Sequence, residues 1–237
     1  MKRFGFNIKA LFCLTFVFII MTAVGTVSHE VGHYALAKYL GYKTQVHYKS
    51  TSIEMDSLIC YFNDTFIKYS FEIKNNLYYP EKEKYNAKLV KFRKDNFFIT
   101  LGGPIQTMLT GTIGFTLLLV NKRKIIKENK VSFLGWIFIF MSLFWLRQVF
   151  NLVTSLVKFF YKGKIPHNGD EAKLALHLNV NIWIVEIITA FLGLIILFIV
   201  LKLIPQKLRF TFLLSGCVGG MLGFYLWLIK FGSNILP

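Results

Sequence analysis

Acidic residues are scarce in this chain: Asp and Glu number 12 against 28 Lys and Arg in 237 residues, and only 17% of residues are charged. Soluble domains carry about a quarter charged residues, so this composition points away from that class. Disorder is excluded as well, because it requires low hydrophobicity and 54% of this chain is hydrophobic. Cysteine is sparse. Cys13, Cys60 and Cys217 form an odd set, two of them inside apolar runs, and support neither a disulfide framework nor a paired-cysteine metal site. There is no repeat of solenoid period and no low-complexity tract. The Lys and Arg residues lie between apolar runs, a placement that speaks for membrane topology rather than nucleic-acid binding.

Long apolar runs are what the chain does have. Mean hydropathy is +0.51, and 25 residues are Phe. Five runs are long enough to cross about 30 Å of hydrocarbon. They cover about Ile8–Tyr39, Phe97–Val120, Val131–Leu156, Ile182–Ile204 and Phe210–Phe231. The expected fold is an all-α multi-pass membrane protein of about five transmembrane helices, with a small β-containing extramembrane segment after the first. Its regions are 1–40, 41–96 and 97–237, with a polar loop at 163–180. A cleaved leader is the rival for the first 28 residues, but the apolar pattern resumes in VGHYALAKYL after Ser28, which favours a span.

In the extramembrane segment, TQVHYKSTSIEM and LICYFNDTFIKYSFEI alternate polar with β-branched or aromatic residues, which predicts short strands turning at Asn63-Asp64. PEKEKYNAKLVKFRKDN reads as a helical lead into the second span. Lys2, Arg3 and Lys9, the run Lys122–Lys130, and Lys202, Lys207 and Arg209 all fall on one side of five crossings. The positive-inside rule makes that side cytoplasmic and places 41–95 and 157–181 outside.

The chemistry concentrates in SHEVGHYALAKYLGY. Residues four apart share a helix face, so His29 and His33 can present two imidazoles to one ion. Zinc accepts nitrogen ligands and takes four ligands in all, while Glu30 can act as general base toward a water held by that ion. With five His and eight Glu, composition alone yields HExxH about 0.004 times per chain. Two His and a Glu in or beside a span are costly unless they serve a function. A third protein ligand is needed. Asp170, in the polar island PHNGDEAKLALHL between spans three and four, is the leading candidate, with Glu171 beside it as competitor. Asn168-Gly169 predicts a turn, after which Asp170 opens a short helix. His47, His167 and His177 read as loop or surface residues. Arg147 and Glu186, inside spans three and four, are candidates for a helix-to-helix pair.

These residues carry a resemblance. HEVGHYALA is similar to the HExGHxxxA stretch of the site-2 protease family of membrane-embedded zinc metalloproteases. LGGPIQTML resembles the GGP stretch that opens a neighbouring span there, and NGDEAKLA lies where that family places its aspartate ligand motif. The resemblance implies His29, His33 and Asp170 as zinc ligands, Glu30 as catalytic carboxylate, and hydrolysis of peptide bonds in membrane-anchored proteins or peptides. The sequence departs from the family in two ways. Glu171, not Gly, follows Asp170, and Asn151 lies far upstream, so the family's substrate-pairing Asn is not carried over to Asn151 or Asn168. The charge pattern also sets the site toward the extracytoplasmic face of the cell membrane, whereas the family often has it nearer the cytoplasm. The alternative is a non-catalytic membrane binding protein or transporter on a protease-like scaffold; a zinc hydrolase with its third ligand elsewhere is a further rival.

Overall fold

The computed structural model describes residues 7–123, 125, 130–163 and 169–237. Five helices there are long and apolar enough to cross a membrane, and one small two-stranded sheet accompanies them. This arrangement is compatible with a multi-pass membrane protein.

The first helix, α1 (Ile8–Tyr39), has 32 residues. At about 1.5 Å per residue it spans about 48 Å, longer than the hydrocarbon core. Asn7 starts it, its side chain accepting from the Ala10 amide at 3.0 Å. Strands β1 (Thr44–Val46) and β2 (Thr51–Ile53) form an antiparallel hairpin with Thr44 opposite Ile53. Tyr42, just before it, donates to Asp95 at 2.8 Å and ties the hairpin's root to the second long helix. Burial and that bond push the Tyr42 phenol up to about 12.

The strands expected between Leu58 and Ile73 are absent. That stretch folds as α2 (Asp56–Lys68) and α3 (Ser70–Lys74), and Asn63-Asp64 lies inside α2 rather than at a turn. The reason is in the spacing. Leu58, Ile59, Phe62, Thr65 and Phe66 recur three and four apart, which is a helical period. Phe62 packs against Tyr85 and Phe92 at ring separations of 5.5 and 5.8 Å. One-sided packing of that kind suits a helix lying on a neighbour.

The polar lead and the second span are one helix, α4 (Lys82–Val120), which runs unbroken past position 96. The third span is broken. It consists of α5 (Phe133–Ser142), a 3-10 turn over Leu143–Trp145, and α6 (Leu146–Lys162), which ends at Gly163 with φ 61°. A left-handed residue at that position is a common helix stop, and glycine adopts it without strain. Then come α7 (Asp170–His177), α8 (Ile182–Leu203), α9 (Gln206–Gly223), a π-helical stretch Phe224–Phe231 and α10 (Gly232–Ile235).

Small residues set how closely the helices meet. A Cβ at Gly219 would strike Phe18 and the Thr15 carbonyl, and one at Gly223 would strike Thr22, so α9 lies directly on α1. The two ends of the bundle differ. One end is a dry apolar plug: Leu14, Leu118, Ile139, Phe140, Val200, Ile204 and Phe212 are buried together, with Phe18 5.1 Å from Phe140 and 5.3 Å from Phe212. The other end carries the hairpin, α7 and the chain's last residues. There the Trp227 indole donates to the Tyr48 carbonyl at 2.9 Å, and the Tyr48 amide donates to Leu236 at 3.0 Å. The polar chemistry lies at this second end.

Candidate metal centre

His29 and His33 lie one helical turn apart near the C-terminal end of α1, and both are buried. Asp170 is the first residue of α7. Helix α7 buries Ala172, Leu174 and Ala175, which fixes its N-terminal turn in place. Three side chains distant in sequence thereby converge. His29 Nε2 lies 2.9 Å from Asp170 Oδ2, His33 Nε2 lies 3.2 Å from the same oxygen, and the two Nε2 atoms are 3.2 Å apart. Burial pushes the Asp170 carboxyl up, but its contacts with the two imidazoles more than reverse this and hold it below the usual carboxylate range.

These separations match shared coordination. Ligand atoms about 2.0–2.1 Å from a tetrahedral ion lie about 3.3 Å from one another. A point about 2 Å from all three atoms therefore exists, and the group could hold a metal. Two imidazole nitrogens and a carboxylate oxygen form a donor set that divalent transition ions accept.

The second span supports this geometry. His33 Nδ1 donates to the Ile99 carbonyl at 2.7 Å, which leaves Nε2 with its lone pair directed at the site. Gly32 and Gly102 bring α1 and α4 into backbone contact, since a Cβ on either would overlap the other's carbonyl. A Cβ on Gly103 would strike Nε2 of both histidines. The GGP stretch is helical, and the missing side chain at Gly103 leaves the space against the two Nε2 atoms clear.

Glu30 is buried and held by the hairpin. Thr51 Oγ1 lies 2.9 Å from the Glu30 backbone carbonyl and 3.1 Å from Glu30 Oε2, so its single proton serves one acceptor at a time. Asp170, not Glu171, reaches the histidines. Glu171 turns toward α6 and accepts from Asn151 Nδ2 at 2.9 Å, and burial pushes its carboxyl up, away from the charged form a ligand needs. The expected Arg147–Glu186 pair does not form. Glu186 instead accepts from Ser155 at 2.9 Å, because Ser155 rather than Arg147 lies opposite it along α6. Of the other histidines, His47 contacts Ser52 Oγ at 2.9 Å and His177 packs on Phe97 at 5.6 Å. Asn168 and His167 lie outside the described residues.

All of this opens on one cavity of about 860 Å³, bounded by the hairpin, α1, α4, α6 and α7. Sequence reasoning missed Thr51, the Ile99 carbonyl and the lining of α6. The last was detectable: Arg147, Asn151, Thr154, Ser155, Lys158 and Lys162 recur at helical spacing through an otherwise apolar stretch, and all six line the cavity. The other two depend on long-range packing and leave no local pattern. No family model matches this chain, and no curated protein and no solved structure matches it either.

Proposed function

We propose that the chain is an intramembrane zinc metalloprotease, similar in plan to the site-2 proteases, which hydrolyses peptide bonds of membrane-anchored proteins or peptides. The convergence of His29, His33 and Asp170 within 3.2 Å carries this reading, because Glu30 stands next to them on a cavity large enough for an extended peptide.

Zinc bound by these three residues would polarise the scissile carbonyl and make water acidic enough to ionise near neutral pH. The residues of the chain do the rest. Glu30 accepts a proton from the attacking water as its oxygen bonds to the carbonyl carbon. It then delivers that proton to the amide nitrogen as the C–N bond breaks. Thr51, bonded to Glu30, keeps the carboxylate aimed while this happens. The Ile99 carbonyl holds the His33 ring in one tautomer. The dry plug at the opposite end seals the bundle, so water reaches the site from the hairpin side.

The orientation that fits the basic segments puts the hairpin and the site toward the extracytoplasmic face of the cell membrane. Comparing membrane proteomes of cells carrying the parental protein and Glu30→Gln tests the activity. Fragments present with the first and missing with the second are expected; identical fragment sets overturn the reading.

A further inference from the structure

Arg147 is a cationic residue whose side chain has no bonded partner among the described residues. It lies at the start of α6 and lines the cavity that holds His29, Glu30, His33 and Asp170. Its Nε is sealed from solvent and unbonded, and the side chain makes no hydrogen bond or ion pair among the described residues. A cation at this depth is costly without a counter-charge. Glu30, Asp170 and Glu171 are near enough to act on it electrostatically, yet none of the three forms an ion pair with it. Glu30 Oε2 takes the Thr51 hydroxyl, Asp170 Oδ2 meets the two imidazoles, and Glu171 Oε1 takes the Asn151 amide while its Oε2 has no hydrogen-bond partner.

The planar donors of a guanidinium match a two-oxygen anion. Lys158 and Lys162 follow Arg147 along the same face of α6, about three and four turns further on and exposed, so positive charge runs from the mouth of the cavity to its floor. Among the described residues no carboxylate pairs with Arg147 by contact.

We propose that Arg147 is the anion-binding group of this site, holding a negatively charged oxygen of the substrate beside the metal ligands. The inference rests on the metalloprotease reading. In hydrolysis that oxygen is the scissile carbonyl oxygen, which gains negative charge as water adds, and stabilising charge where it develops accelerates the step. A substrate carboxylate offers the same chemistry in the ground state.

The test uses the purified full chain in detergent, loaded with cobalt(II), whose visible spectrum reports its ligands. Acetate stands for a substrate carboxylate and a hydrophobic peptide phosphinate for the tetrahedral oxyanion. Each is titrated into the parental protein, Arg147→Gln and Arg147→Lys. Cobalt content is expected to be equal in all three. Binding of the phosphinate should weaken at least about tenfold in Arg147→Gln, the loss of a charge-assisted bond, and Arg147→Lys should recover part of it. A parallel loss for acetate identifies a ground-state carboxylate site as well, and loss for the phosphinate alone ties Arg147 to the reacting oxygen. Unchanged affinity for both probes in Arg147→Gln, or loss of cobalt from it, overturns the inference while the metal reading stands. Failure of the parental chain to take up cobalt overturns the metal reading and the inference together.

Discussion

On the proposed metalloprotease reading, Glu30 and its bond to Thr51 serve proton transfer and not metal binding, a division testable at the scale of single residues. Glu30→Gln keeps the shape and burial of the side chain but removes its basicity, so zinc content should match the parental protein while cleavage falls by about 10²–10⁴-fold. Metal analysis and a fragment assay on one preparation check both halves. Thr51→Val deletes the hydroxyl that reaches Glu30 Oε2. It should lower the cleavage rate by up to about tenfold with zinc unchanged, the effect of one hydrogen bond of about 1 kcal/mol. Gly103→Ala has the opposite signature. Its methyl would enter the space against both Nε2 atoms, so zinc binding should fall sharply while the helical circular dichroism persists. Among these residues His29, Glu30 and His33 are legible in the sequence because their spacing is local to one helix. Asp170 needs the further knowledge that α7 docks near α1, and Thr51 shows no pattern before the hairpin folds back.

Helices are legible where their periodicity is long and apolar. The five spans follow from hydropathy, and their ends move by a few residues or, for α4, by a polar extension of about four turns. The segment from Leu58 to Ile73 misleads because its polar and aromatic residues alternate locally. The burial of Phe62 against α4 decides for helix, and that is a tertiary effect invisible to local propensity. The break in the third span at Leu143–Trp145 is similarly unannounced. Close packing at this scale predicts its own failure. Gly219→Leu would drive a side chain into Phe18 and Thr15 of α1 and should cost about 1–3 kcal/mol. The thermal midpoint in detergent should drop, and the fraction still folded should keep its zinc, because this contact lies toward the dry end.

Across the whole molecule, one end excludes water and the other admits it. The aromatic plug of Phe18, Phe140 and Phe212 closes the first, and the polar lining of α6 opens the second. Helix α1 alone separates its N-terminal end from the hairpin, and the bond from Asn7 to Thr211 at 3.3 Å ties that N-terminal end to α9 at the dry end. The basic segments predict that this dry end is cytoplasmic. Topology reporters fused at Lys122 and Glu83 should read cytoplasmic and extracytoplasmic respectively, and the reverse result would invert the placement of the site.

Zinc analysis of the purified protein beside His33→Ala and Asp170→Ala addresses the central claim most directly. One equivalent per chain is predicted for the parental protein and close to none for either variant, with all three eluting as folded species of equal size. Full zinc in Asp170→Ala, or none in the parental chain after exposure to micromolar zinc, would contradict the assignment of these three side chains to a common ion.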